Sequence, residues 1–260
     1  MLAHPTQERL TALGLTGMAR ALDDQRRQPD IAALGFEERL ALLVDREAME
    51  RDNKRLVARL RFAALRQEAV VEDVDLRAVR GLDRSLFQKL AAGDWIDRKQ
   101  NLLVIGPTGV GKSWIACALG HKACRDNRSV AYHRVPRLLE ALALARGDGR
   151  YGRLLKALGR VQLLILDDWG LAPLTGEQRR DLLEIMDDRH ERGSTIVTSQ
   201  VPVDHWHEVI GDPTIADAVL DRLVLSTADE ISPEGADENS SLRCSSVASV
   251  SAWGLDAFEF

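Results

Sequence analysis

Hydrophobic positions in the second half of the chain form short runs separated by longer amphipathic stretches. Four runs predict the strands of a buried sheet: Leu102 to Ile105, Ser129 to His133, Leu163 to Leu166 and Thr195 to Thr198. The stretches after them predict helices at Lys112 to Asp126, Pro136 to Ala145, Tyr151 to Leu158 and Gly176 to Arg192. This alternation is typical of a doubly wound α/β fold with a central parallel sheet.

The start of the chain follows a helical period instead. Leucines predict a first short helix, and a longer helix is predicted from Phe36 toward Gln67, with Pro29 and Gly35 between the two. We expect four regions along the chain: a helical N-terminal domain at 1–70, a connector at 71–95, the α/β domain at 96–224, and an atypical, disordered tail at 225–260.

Composition favours a globular, cytoplasmic protein. Hydrophobic residues make up 45% of the 260, and no stretch approaches the roughly 20 apolar residues of a membrane span or the apolar core of a signal peptide. The formal net charge of -5 comes mostly from the segment after Val224, where seven acidic residues face one basic residue. That segment also holds eight serines and little periodicity, a composition typical of disorder. The three cysteines lack metal-ligand spacing and predict buried thiols.

The helix predicted from Phe36 carries a cluster of positive charge. Within residues 51–66 the only acid is Asp52, and the basic residues are Arg51, Lys54, Arg55, Arg59, Arg61 and Arg66. A basic helix can lie along a phosphate backbone, because each phosphate that it neutralises releases counterions. From charge alone two interpretations stay open: contact with duplex DNA, through Arg51, Lys54, Arg55 and Arg59, or a solvated helix face.

A glycine-rich segment joins the first predicted strand to the helix at Lys112. It runs Gly106-Pro107-Thr108-Gly109-Val110-Gly111-Lys112-Ser113 and matches GxxxxGK[ST] in the strand-to-helix context that this motif requires. Backbone N–H groups of such a loop surround phosphate oxygens, helped by the positive end of the helix. We predict that residues 106–114, including Trp114, bind ATP, with Lys112 at the β and γ phosphates and Ser113 on Mg²⁺.

Polar side chains end two further predicted strands at the same edge of the sheet. Asp167 is expected to hold Mg²⁺ and Asp168 to polarise the attacking water, although two adjacent aspartates also occur in capping turns. The triplet Thr198, Ser199 and Gln200 would lie beside the γ phosphate if its strand neighbours that of Asp167. These side chains are candidates to sense that phosphate, or simply a polar strand end.

Arg222 lies at the end of a short predicted helix, directly after Asp221. The sequence leaves two roles equally open, a surface cation or an arginine finger that completes the ATP site of a neighbouring subunit.

Five stretches together resemble the IstB-like ATP-binding proteins, helpers of insertion-sequence transposases, and more distantly the DnaC helicase loaders and DnaA-type AAA+ ATPases. These are Phe36 to Leu40, Asn101 to Lys112, Asp167 to Leu171, Thr198 to Gln200 and Asp212 to Leu223. The resemblance covers about residues 6–224. After Val224 the family pattern is missing, which a frameshift or a lineage-specific extension would explain.

The resemblance implies an AAA+ P-loop ATPase whose helical N-terminal domain binds duplex DNA, with homo-oligomers forming on the DNA and directing a partner transposase. It also implies that Thr198 to Gln200 form the sensor I region and that Arg222 is the finger. DNA contact becomes the preferred interpretation of the basic helix. The leading hypothesis is an ATP-hydrolysing transposition helper. The alternative is a DnaC-like loader whose helical domain grips a protein.

Overall fold

The computed structural model describes residues 4–75 and 83–224. The predicted tail at 225–260 and part of the predicted connector lie outside the described residues. The chain divides into two compact units, the first ending at Arg59 and the second beginning at Leu60. The sequence placed the boundary between residues 70 and 95, whereas residues 60–75 belong to the second unit in the structure.

The described part of the first unit contains α1 (Pro5–Ala12), α2 (Thr16–Arg27), a 3-10 turn at Pro29–Ala33, and α3 (Phe36–Ala63) up to Arg59. α2 and α3 approach closely at Gly17, where an added Cβ would lie 2.7 Å from the Cα of Glu47. The Glu47 carboxylate accepts hydrogen bonds from the backbone N of Gly17 at 2.7 Å and of Met18 at 3.2 Å. It thereby caps the start of α2, which has no side-chain cap of its own.

The third helix ends earlier than predicted. α3 stops at Ala63, which is fully buried, and Ala64 adopts a left-handed backbone with φ of 49°. The predicted extension toward Gln67 was therefore wrong, and Arg66 does not belong to the basic helix. Neither Pro nor Gly marks this helix end in the sequence, so a pattern of side chains could not locate it.

A four-stranded parallel sheet forms the centre of the second unit. Its strands are β1 (Leu102–Ile105), β2 (Val130–Arg134), β3 (Leu163–Trp169) and β4 (Ser194–Ser199), in the order β1-β4-β3-β2. The predicted strands and the α/β class are confirmed, with ends that differ by a few residues. The described strands consist almost entirely of buried residues, as expected for a parallel sheet covered on both faces.

Helices cover the sheet. They are α4 (Arg84–Ala92), α5 (Asp94–Asp97), α6 (Lys112–Arg125), α7 (Val135–Gly147), α8 (Tyr151–Arg160), α9 (Gly176–Arg189), α10 (Trp206–Ile210) and α11 (Pro213–Val224), with 3-10 turns at Val71–Asp73 and Val203–His205. α4 and the start of α5 lie within the predicted connector, where periodicity was weak. The Asp83 carboxylate caps α4 through the backbone N of Leu86 at 2.6 Å. Among the described residues, no helix is long and apolar enough to cross a membrane.

Candidate functional site

The loop between β1 and α6 has the backbone that its glycines predict. Gly109 and Gly111 have φ of 88° and 93°, a region that L side chains rarely adopt. The backbone N of Gly106 donates to the carbonyl of Ser199 at 3.2 Å, so the start of the loop is tied to the end of β4. The Lys112 ammonium donates to the carbonyls of Gly106 and Pro107, each at 2.7 Å. Burial lowers the pKa of this lysine, and the nearby charges of Asp167 and Asp168 oppose that effect.

Asp167 lies at the centre of the site and is fully buried. The Ser113 hydroxyl donates to its Oδ1 at 2.7 Å, the Thr198 hydroxyl donates to the same oxygen, and the Tyr132 hydroxyl donates to Oδ2. Burial raises the pKa of Asp167, but the three hydroxyl hydrogen bonds, together with the positive charge of Arg66, outweigh it and hold the pKa below its usual value. The carboxylate is therefore ionised at neutral pH.

This arrangement fits a magnesium ion bound together with a phosphate chain. The Ser113 hydroxyl, at the start of α6, and the Asp167 carboxylate, near the end of β3, are hard oxygen ligands that lie together beside the P-loop. The described residues contain no cluster of three or more His, Cys, Asp or Glu side chains able to hold a metal alone. A site that needs phosphate oxygens to complete the shell of Mg²⁺ is consistent with both facts.

Asp168 occupies an irregular point of β3. The pairing with β4 shifts register between Leu166 and Trp169, and Asp168 has a left-handed φ of 62°. Its backbone N donates to the Thr198 hydroxyl oxygen at 3.2 Å. Its carboxylate accepts a hydrogen bond at 2.6 Å from Nε of Arg134, the last residue of β2. The bulge thus turns two consecutive aspartate side chains toward the same edge of the sheet.

Three residues at this edge were absent from the predicted site: Arg66, Tyr132 and Arg134. Tyr132 and Arg134 alternate along β2 and face Asp167 and Asp168, because β2 is the neighbour of β3. The rule that applied to Asp167, polar residues at the carboxyl end of a strand, would also have found Arg134. Burial and the hydrogen bond to Asp167 raise the pKa of Tyr132 well above its usual value.

The predicted sensor triplet divides into a buried and an exposed part. Its strand neighbours that of Asp167, as the hypothesis required, because β4 lies between β1 and β3. Thr198 is buried and bonded to Asp167, and the Ser199 hydroxyl lies 3.0 Å from the carbonyls of Trp169 and Val201. Gln200 is exposed, and its Oε1 accepts from the Thr108 hydroxyl at 2.7 Å. Ser199 thus contacts the P-loop through its backbone carbonyl and Gln200 through its side chain, and the sensor role stays a prediction.

Arg222 lies away from the P-loop of its own chain. Its backbone carbonyl accepts from the Asn101 amide at 3.0 Å, and Asn101 directly precedes β1, at the end of the strand opposite the loop. The guanidinium forms an ion pair with Asp187 and donates to the carbonyl of Ala218 at 2.7 Å. The structure thus does not bring Arg222 together with the P-loop of the same chain, and its role as a finger in trans stays a prediction.

The four predicted DNA contacts lie on α3. Three of them form ion pairs along the helix: Arg51 with Glu47 at 2.8 Å, Lys54 with Glu50 at 3.3 Å and Arg55 with Asp52 at 3.4 Å. Their side chains nevertheless stay 52%, 61% and 67% exposed. Without Arg66, residues 51–61 of the helix carry a net charge of +4. DNA contact through these residues and Arg59 stays a prediction.

Comparison with known proteins gives a consistent family assignment. The family model described as "IstB-like ATP binding protein" matches residues 8–239, which extends past Val224, where the resemblance was predicted to end. A putative insertion sequence ATP-binding protein of Sinorhizobium fredii is 63% identical over 224 residues, 86% of this chain and 91% of the relative. The putative ATP-binding protein of insertion sequence IS1162 from Pseudomonas fluorescens is 53% identical over 207 residues, 78% of this chain and 88% of the relative.

Solved structures agree on the fold. The DnaC helicase loader superimposes with a TM-score of 0.53 at 18% identity, covering 62% of this chain and 94% of that one. DnaI superimposes with a TM-score of 0.54 at 21% identity, covering 62% and 89%. These likenesses show that the chain shares the α/β fold of those two proteins. The chain belongs to the family of IstB-like ATP-binding proteins.

Proposed function

We propose that the chain is an ATP-dependent, DNA-binding transposition helper that acts in the cytoplasm. It oligomerises on target duplex DNA and recruits or stimulates its partner transposase, with ATP hydrolysis as the switch between states. The family assignment and the association of its relatives with insertion sequences support this proposal. The observation that carries it is the hydrogen bond between Ser113 and Asp167, which joins the P-loop to the acidic end of β3.

Each residue of the site has a distinct part in ATP hydrolysis. Lys112 and the backbone of residues 106–114 bind the phosphates, while Ser113 and Asp167 hold Mg²⁺, which when bound neutralises charge on the transferred phosphoryl group. Asp168 orients and polarises the attacking water. Arg222 of a neighbouring subunit supplies a cation to the same phosphates. Thr198 to Gln200 link the phosphate site to β4, so that the nucleotide state is transmitted to the rest of the unit.

The exposed basic side chains of α3 provide the DNA contact. Arg51, Lys54, Arg55 and Arg59 neutralise phosphates of the duplex. The three of them that form ion pairs along α3 keep more than half of their side-chain surface exposed and can still reach a phosphate. Phosphate contacts of this kind make binding independent of sequence and strongly dependent on salt.

The decisive experiment measures binding of the full chain to random duplex DNA with ATP, ADP or no nucleotide, at two salt concentrations. We expect tight, salt-sensitive binding that ATP enhances and that builds large complexes. Lys112→Ala should abolish the effect of ATP, whereas Lys156→Ala, an exposed lysine on α8, should retain it. Tight ATP binding and normal oligomerisation by Lys112→Ala would show that the site is assigned incorrectly.

A second candidate function is a loader that grips a protein partner, in the manner implied by the resemblance to DnaC. It is favoured by apolar side chains on the surface of α3, since Met49 and Val57 are 59% and 57% exposed. The two functions respond to different substitutions. Arg55→Ala should reduce the salt dependence of log K by about one for a DNA contact, whereas Val57→Ser should weaken only the capture of a protein partner.

A further inference from the structure

Arg66 places a positive charge between the two aspartates of the candidate site. Its Nη1 lies 3.7 Å from Oδ2 of Asp167 and 4.0 Å from Oδ2 of Asp168. The guanidinium also forms a hydrogen bond with the Tyr132 hydroxyl, which itself donates to Asp167. Arg66 is 48% exposed, whereas Asp167 is fully buried. One side of the guanidinium therefore faces the carboxylates and the other faces water.

The backbone around Arg66 is fixed to the P-loop helix. The Cys117 thiol of α6 forms hydrogen bonds with the backbone of Arg66 and Gln67. Leu65 packs against α6 where Gly120 has no side chain, since an added Cβ there would lie 3.1 Å from Leu65 Cδ2. Ala63 and Ala69, on either side of the segment, are fully buried. The position of Arg66 at the site is thus set by packing and not by a freely moving surface segment.

The negative charges at this edge are neutralised without a metal. Two carboxylates, Asp167 and Asp168, face two guanidinium groups, Arg66 and Arg134, and the Lys112 ammonium adds a further positive charge close to both aspartates. Mg²⁺ held by Asp167 would bring two further positive charges to the carboxylate that Arg66 already faces. Like charges at such short separation repel, and most strongly where the shared carboxylate is buried.

We infer that Arg66 competes with Mg²⁺ for the Asp167 and Asp168 carboxylates and leaves them when Mg²⁺ binds with the nucleotide. This inference rests on the proposed Mg²⁺–ATP site. Arg66 disfavours the binding of Mg²⁺ that is not held by a nucleotide as well. The release of Arg66 loosens the packing of residues 64–69. Since α3 ends three residues before Arg66, that segment is the direct continuation of the helix that carries the predicted DNA contacts.

The test compares the affinity for ATPγS in Mg²⁺ with the affinity in EDTA. The ratio of these affinities measures the coupling between metal and nucleotide. Arg66→Gln should raise the ratio by about fivefold or more, because the metal no longer meets a competing cation. Arg66→Lys, which keeps the charge, and Arg153→Gln, which removes an exposed arginine of α8, should leave the ratio unchanged.

Equal weakening in both solutions by Arg66→Gln would overturn the inference, because Arg66 would then bind the phosphates themselves. An unchanged ratio and unchanged affinities would overturn it as well. If the wild-type chain bound no ATPγS in Mg²⁺, the proposed function would fail together with the inference. Failure of the inference alone would leave ATPγS binding by the wild-type chain in Mg²⁺ intact, so the two failures can be distinguished.

Hydrogen exchange of the wild-type chain gives a second test, which does not depend on whether a variant folds. With ATPγS bound, amides of residues 64–69 should exchange faster in Mg²⁺ than in EDTA, while amides of α8 should not change. Equal exchange of residues 64–69 in the two solutions would contradict the release of Arg66.

Discussion

Thr198 and Asp167 are joined by a hydrogen bond between adjacent strands, with the threonine hydroxyl donating to Oδ1 of the aspartate. The same hydroxyl oxygen accepts from the backbone N of Asp168 at 3.2 Å. Thr198 is 1% exposed and Asp167 is fully buried. One side chain of β4 thus holds both consecutive aspartates of β3, which makes Thr198 a positioning residue for the proposed metal ligand and for the proposed catalytic carboxylate.

Thr198→Val is expected to separate this positioning from packing. Valine keeps the shape of the side chain but leaves the Asp168 N–H without an acceptor in a buried environment, at a cost of about 1–3 kcal/mol in the free energy of unfolding. ATP hydrolysis should fall by at least about tenfold through misplaced carboxylates, with ATP affinity nearly unchanged. Urea unfolding and steady-state hydrolysis check the two effects. Thr198→Ser, which keeps the hydroxyl, should retain most of the activity, and equal losses in both variants would contradict the role of the hydroxyl.

Asp168→Asn is expected to stop hydrolysis without preventing nucleotide binding. Asparagine is close in size to aspartate but cannot accept a proton from water, so turnover should fall by about a hundredfold. The affinity for ATPγS in Mg²⁺ should change little, since Asp167 and Ser113 remain in place. Glu184→Gln on α9 is the matched control. Turnover by Asp168→Asn at the wild-type rate would show that another group activates the water.

The strands and the P-loop could be predicted from the sequence because their signals are local. The apolar run Leu102 to Ile105 leads directly into a glycine-rich turn, and no distant residue is needed to interpret it. Arg134 directly follows the predicted strand at Ser129 to His133, so the rule applied to Asp167 could have found it. The contact of Tyr132 with Asp167 could not be predicted, because it depends on the strand order β1-β4-β3-β2, which periodicity does not encode. Arg66 was placed in the wrong element because α3 ends where Ala64 adopts a left-handed backbone, and no helix-stop residue marks that position in the sequence.

A partly buried histidine on β2 predicts a pH dependence of stability. Burial lowers the pKa of His133, so the folded chain binds this proton less readily than the unfolded chain does. Stability is retained above the usual histidine pKa of 6.5 and is lost as the pH falls below it toward the lowered folded pKa. The free energy of unfolding, measured in urea at about pH 7.5 and about pH 5.5, should therefore fall less in His133→Gln than in the wild type. His190→Gln, at an exposed position, should show the wild-type fall, and an identical fall in all three proteins would contradict the prediction.

Gly120 sets how closely α6 packs on the sheet. An added Cβ would lie 2.8 Å from Cδ1 of Ile165 and 3.1 Å from Cδ2 of Leu65, and Ile165 is fully buried on β3. Gly120→Ala should therefore lower the free energy of unfolding by about 1–3 kcal/mol, although alanine alone favours a helix by about 1 kcal/mol. Gly152→Ala on α8 is the control, because an added Cβ there meets no atom within 4 Å. It should raise stability by about 0.5 kcal/mol. Urea unfolding of both variants tests this prediction. If Gly120→Ala were as stable as Gly152→Ala, α6 would not approach Ile165 and Leu65 this closely. Arg66 would then also be held less firmly at the aspartates.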